Sequence, residues 1–139
     1  LVVIMNRREA RELLFFFFFE YSYKTQEDYT NVYAVALQER EFEDDSYVKE
    51  SFEGIIHNLA EIDEKISAKI NGWSLSRLTK PTLAICRVAV YEMFYREDIP
   101  YNVSINEALE IAKKYDDEKA PTFINGVLNA IALEGGLKE

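Results

Sequence analysis

Cysteine and histidine occur once each in this 139-residue chain, proline three times and glycine five times, and these shortages exclude whole classes of function. The single cysteine, Cys86, allows no intrachain disulfide, and its place in an apolar stretch marks a packing residue of a protein kept in a reducing compartment. His57, with no second histidine and no cysteine pair, cannot build a usual zinc site and reads as a helix-surface or packing side chain. No glycine-rich phosphate loop is present and no nucleophile stands near a histidine, so neither a catalytic residue nor a bound cofactor or metal is expected. Sustained two-residue alternation, the mark of a sheet, is missing as well. The longest bulky apolar run near the start, Leu13 to Phe19 between Glu12 and Glu20, is far too short for a membrane span. Leu1–Ile4 is too short for a signal-peptide core and precedes rather than follows its basic residues, so residues 1–5 read as a tail, with Met5 a candidate start.

What is present suits one globular domain over 1–139: 48% of the residues are hydrophobic and 29% charged, and a chain of this length buries about two-thirds of its unfolded surface. The net charge of −9 is unevenly placed, with 13 acidic and 3 basic side chains between positions 20 and 64 and 10 of each from 65 to 139. Acidity is confined to one segment, which leaves a neutral or basic face open to the termini.

The chain is organised around Thr82 to Tyr115. Between Leu83 and Tyr95 only Arg87 and Glu92 are charged, so this helix has no wide polar face and must be surrounded by others. Pro100 ends the segment, and Ser104-Ile105-Asn106-Glu107 has the form of a capping box opening the next helix. Arg87 on an apolar helix needs a carboxylate, because an unpaired buried charge costs several kcal/mol. Glu107 is the expected partner in a structural ion pair and Glu92 the alternative.

Elsewhere, Asn6 can cap a first helix carrying Arg7, Arg8 and Arg11 on one side, a small basic patch that Glu9 and Glu12 could pair locally. Five consecutive phenylalanines, Phe15 to Phe19, wrap right round that helix at 100° per residue. Either it is buried on two sides, or an exposed ring stacks on a base or a partner. A second helix is expected over Gln26–Arg40, an acidic turn over Glu41–Asp45, and a long third helix over Ser46–Ile70, with Val48, Phe52, Ile55, Leu59, Ile62 and Ile66 on its apolar stripe and Asn71-Gly72 as its stop. Trp73 to Leu78 bridges to the core helix, which Thr79-Lys80-Pro81 starts. A last helix runs from near Pro121 to Gly135-Gly136, with Asn125 and Gly126 inside it suggesting close packing or an exposed polar role. All three prolines, 81, 100 and 121, fall at helix boundaries. The class is all-α, a compact bundle of about seven helices.

The run RVAVYEMFYREDIPYNVSINEALEIAKKY, followed by FINGVL from Phe123 to Leu128, resembles the NusB family of bacterial transcription antitermination factors. "YE", "IP", "INEA", "AK" and the closing "NGVL" match in order and spacing over the last half of the chain, and the arginine-rich start matches at the other end. The resemblance implies N-terminal and C-terminal sub-bundles around one core, a bacterial cytoplasmic location and no enzymatic activity. It implies an arginine-rich RNA-binding motif at Arg7, Arg8 and Arg11, with Phe19 standing where the family places a tyrosine. In the family the region of the last helix lies beside the first helix, so the resemblance implies that Lys113, Lys114, Tyr115, Lys119 and Phe123 would supply cations for phosphates and rings for bases, though as residues alone they also fit a solvated loop. The implied partners are a boxA-like single-stranded RNA, the ribosomal protein NusE and, through them, the RNA polymerase antitermination complex of ribosomal RNA operons. NusE would dock around Ser76, Lys80 and Thr82. Two other readings stay open: a protein–protein adaptor or homodimer using the phenylalanine face, and an RNA-targeting domain like that at the front of ribosomal RNA cytosine methyltransferases, although nothing follows Glu139 here to hold a methyl donor. Salt separates them, since RNA binding loses affinity with a log–log slope of roughly −0.7 per phosphate contact and apolar association barely responds.

Overall fold

The computed structural model describes residues 5–21, 34, 38 and 45–138. In chain order these form α1 (Arg7–Tyr21), α2 (Ser46–His57), α3 (Leu59–Ser67), a 3-10 turn (Leu75–Arg77), α4 (Lys80–Tyr95), α5 (Tyr101–Tyr115) and α6 (Ala120–Glu134), with no strand among the described residues. The all-α expectation holds. The helix expected over Gln26–Arg40 and the acidic turn over Glu41–Asp45 lie, apart from Ala34, Gln38 and Asp45, outside the described residues.

α4 is the spine. Thr79 caps it by accepting from the Thr82 amide at 3.3 Å, Pro81 sits in its first turn, and every side chain from Ala84 to Met93 is buried. It touches α1, α2, α3, α5 and α6, while α1 packs on α2 and α5 on α6. The helix is apolar all round because it has neighbours all round.

α1 opens with a reciprocal cap. The Asn6 side chain accepts from the Glu9 amide at 2.8 Å and Glu9 accepts from the Asn6 amide at 3.3 Å, which satisfies two of the donors a helix start leaves free. The phenylalanine run is buried on two sides. Phe17 and Phe18 meet Phe52 of α2, with ring centroids 5.8 and 5.4 Å away, while Phe15 and Phe16 meet Tyr115 of α5 at 5.6 and 4.9 Å. Phe16 and Phe19 keep part of their surface exposed, and Phe19 stacks on Phe15 with centroids 6.2 Å apart.

Three boundaries depart from expectation. The long third helix is two, broken at Asn58, whose side-chain amide donates to the Gly54 carbonyl at 2.8 Å alongside its own backbone amide at 3.0 Å. Asparagine competes for backbone partners in this way and so interrupts helices. The second of the two, α3, ends at Ser67, short of the expected Asn71-Gly72 stop, whereas α2 begins at Ser46 as expected, with Asp45 accepting from the Val48 amide at 3.0 Å. Ser104 does not cap α5: Pro100, extended at φ −60° and ψ 142°, already starts the helix at Tyr101, so the Ser104 amide bonds back to the Pro100 carbonyl. α6 ends as read, at Gly135-Gly136. Gly136 takes φ 77°, the Leu137 amide reaches the Ala132 carbonyl at 2.9 Å, and the Gly136 amide reaches Leu133 at 3.2 Å, the paired closure that a left-handed residue after a helix permits.

Candidate nucleic-acid interface

α1 and α5 are joined by charge. Arg8 of α1 grips Glu107 of α5 with two bonds of 3.1 and 2.8 Å. One turn on, Arg11 reaches the same carboxylate at 3.1 Å and closes on Glu92 of α4 through Nε at 2.7 Å and Nη2 at 3.1 Å. Glu92 is fully buried, and it also accepts from the Tyr47 hydroxyl and from Ser104 Oγ at 2.9 Å. Burial lowers the pKa of the Arg11 guanidinium, but the bond and charge of Glu92 outweigh it, so Arg11 stays charged. Burial, then the adjacent Glu92 charge, pushes the Tyr47 phenol up, which keeps it a donor.

Two expectations are corrected here. Arg11, read as an RNA contact, is only 5% exposed and belongs to the core network. Its neighbours at i+3, i+4 and i+7, Leu14, Phe15 and Phe18, are all buried, and that stripe was the signal in the sequence. Arg87 pairs with Asp63 of α3, Nε and Nη2 each 2.9 Å from a carboxylate oxygen, and not with Glu107. Glu107 is taken by α1, whose approach to α5 no local pattern announces.

The other sequence-predicted cations are exposed. Arg7 lies over the Tyr47 ring, 4.4 Å from its centroid, in a cation–π contact. Lys114 reaches both oxygens of Glu12 at 3.1 and 3.2 Å, and the Tyr115 hydroxyl donates to the same carboxylate at 2.6 Å. Partial burial raises the Glu12 carboxyl, yet the bonds from Tyr115 and Lys114 together hold it below its ordinary value, and the same contacts raise Tyr115 and Lys114. Tyr115 still exposes 40% of its surface beside the half-buried Phe16. Lys113 pairs with Glu110 at 3.3 Å on the outer face of α5.

Lys119 and Phe123 stand elsewhere, at the start of α6, where Asp117 accepts from the Lys119 and Ala120 amides at 2.9 and 3.1 Å. They line a groove of about 270 Å³ with Trp73, Arg77, Leu78 and Thr82. The bridge and the start of α4, expected to meet NusE, thus share this groove with two residues expected to meet RNA. Ser76 and Lys80 are exposed beside it, whereas Thr82 is nearly buried and donates its hydroxyl to Asp116 at 2.5 Å. Trp73, 61% exposed at the rim, is a surface residue the sequence reading passed over. Gly126 faces open space on α6, and Asn125 accepts from the Asn129 side chain at 3.0 Å, so this stretch is an exposed polar surface and not a close helix crossing.

The sequence model of the NusB family matches residues 8–133. The chain belongs to the NusB family. Among NusB relatives, the transcription antitermination protein NusB of Clostridium botulinum (strain Kyoto / Type A2) is 42% identical over 139 aligned residues, covering 89% of this chain and 97% of the relative. The structure of T. maritima NusB superposes with a TM-score of 0.83 at 36% identity, over 95% of this chain and 94% of that one. A NusB fold is also shared with a chain from a structure of the antitermination factors NusB and NusE in complex with double-stranded RNA, at TM-score 0.82 and 24% identity over 92% of this chain and 96% of that one. No helix among the described residues is long and apolar enough to cross a membrane.

Proposed function

We propose that this NusB-family protein is an RNA-binding transcription antitermination factor that works with NusE on boxA-like RNA of nascent, chiefly ribosomal RNA, transcripts, as a binding factor in the bacterial cytoplasm and not as an enzyme. The observation that carries the reading is the family match, which runs from the basic start of α1 to the end of α6. The geometry supports two faces. Arg7, Arg8, Lys113, Lys114 and Tyr115 are exposed on α1 and α5 and offer cations and one ring to a single strand. The groove of Trp73, Arg77, Lys119 and Phe123, flanked by Ser76 and Lys80, offers apolar surface with a basic rim to NusE, with Lys119 and Phe123 at the edge shared with RNA. Residues 8–133 act as one RNA-binding domain in this reading, and Arg11, Arg87 and Glu107 hold its structure.

Fluorescence anisotropy tests it, using boxA-like and scrambled RNA with and without NusE. Sequence-preferring binding that NusE strengthens is expected, with four phosphate contacts giving a salt slope of about −2.8. Arg7→Ala/Arg8→Ala should flatten that slope by about 1.4 and leave the unfolding midpoint nearly unchanged. Equal affinity for the scrambled RNA, or a double variant that binds like wild type, would refute the assignment.

A further inference from the structure

The exposed cations at the α1–α5 seam do not wait empty. Arg7 lies over the Tyr47 ring, while Arg8, Lys113 and Lys114 carry the carboxylates of Glu107, Glu110 and Glu12, which differ in kind. Glu110, paired with Lys113 three residues away, has 53% of its side chain in solvent, whereas Glu12, paired with Lys114 across the seam, has 17%. A solvated pair of the first kind exchanges for an incoming anion at little cost. Glu12 is held by three bonds from two side chains, and Arg8 stands one turn away on the same face of α1. A carboxylate presenting two oxygens to an ammonium and a phenol makes the same bonds that the two free oxygens of a phosphodiester would make.

We propose that Lys114 and Tyr115, with Arg8 beside them, form a phosphodiester-binding site for the RNA backbone, and that Glu12 is its internal competitor, occupying the site until a nucleotide displaces it. This rests on the RNA-binding reading and adds to it a cost that every bound strand must meet. The competitor also explains the ring's orientation. The bond to Glu12 holds the Tyr115 edge down, with the ring stacked on Phe15 and edge-on to Phe16, which leaves an exposed portion for a base beside the phosphate. An RNA that offers both phosphate and base displaces Glu12 with two contacts, while a polyanion without bases must do so with one. The exposed part of the Tyr115 ring is what favours nucleic acid over other polyanions, since the cost of displacing Glu12 is the same for both.

Glu12→Gln tests this, because the amide keeps an acceptor for Tyr115 and removes the charge that holds Lys114. One released cation, at a slope of about −0.7 per phosphate, corresponds to about fivefold tighter RNA binding at 0.1 M monovalent salt. The expected result is that gain in Glu12→Gln, a salt slope steeper by about 0.7, loss of the gain when Lys114→Met is added, and the same relative gain for inorganic polyphosphate as for RNA. Glu110→Gln, the solvated comparison, should change affinity less than twofold. Glu12→Asp keeps the charge but withdraws the carboxylate by about 1.5 Å, and should give a smaller gain in the same direction, which keeps the test open if the glutamine variant folds poorly. Wild type that binds RNA while Glu12→Gln and Glu12→Asp bind equally or more weakly would overturn the competitor and leave the RNA reading intact. A gain that survives Lys114→Met would overturn the site. No RNA binding by wild type or either variant would overturn both.

Discussion

Replacing Glu92 by alanine removes one acceptor from four donors at once: Arg11 Nε and Nη2, the Tyr47 hydroxyl and the Ser104 hydroxyl. Each buried donor left without an acceptor costs about 1–3 kcal/mol, more when charged. Two effects reduce the total: Arg11 keeps its 3.1 Å bond to Glu107, whose side chain is 15% exposed, and the cavity left by the carboxylate can admit water. Breaking a buried pair by removing one partner costs about 3–5 kcal/mol, and Glu92→Ala should fall there. At about 4 °C per kcal/mol for a chain of this size, the melting temperature drops by about 12–20 °C. Urea unfolding followed by far-UV circular dichroism gives the free energy directly. The partner substitution sharpens the test, since Glu92→Leu/Arg11→Met replaces both charges with apolar volume and should recover most of the loss. A loss below about 1 kcal/mol for Glu92→Ala, or a double variant no better than the single, would show that the network is not the desolvated unit described here.

Gly54→Ala would place a methyl group 2.4 Å from the ring of Tyr91, so thermal unfolding should report a loss of about 1–3 kcal/mol; an unchanged midpoint would mean the helix α2–α4 contact is looser than it looks. Burial pushes the Cys86 thiol up to about 12, so a thiol reagent at pH 8 should label it only in unfolded protein, and rapid labelling of native protein would contradict its placement. The Glu12 carboxyl is lowered below 4.5 in the folded state, so its contribution is complete above that value and lost as pH falls through the depressed one. The stability difference between wild type and Glu12→Gln should therefore shrink below pH 4.5, and a difference constant to acid pH would place Glu12 outside the ion pair.

Most of the fold was legible because its strongest signals are local. The all-apolar stretch from Ala84 to Met93 demanded neighbours on every side, Asn6 and Asp45 stand where helices start, and Gly135-Gly136 stands where one ends. Ser104 misled because the S-x-x-E pattern describes a helix start only if no earlier residue starts it, and Pro100 does. The ion pairs were the least legible part. Which carboxylate meets Arg87 depends on how α3 and α5 cross α4, and at the level of sequence Asp63 and Glu107 are equally acceptable partners. For the candidate site, the exposed cations were found from residue type alone, while the burial of Arg11 required seeing that it shares a stripe with Leu14, Phe15 and Phe18. That Lys119 and Phe123 share a groove with the bridge has no counterpart in the linear pattern, since 46 residues separate Lys119 from Trp73 in the chain.

The chain's one tryptophan, Trp73, sits at the rim of that groove and not in the core. Its indole is therefore bathed in water in the folded protein, so unfolding should shift its emission little, and with one tryptophan in the chain no second indole competes with it. A partner that fills the groove moves the ring from water to an apolar wall and turns its emission blue and brighter. The protein thus carries its own optical gauge of groove occupancy, one that answers to whatever ligand covers Trp73.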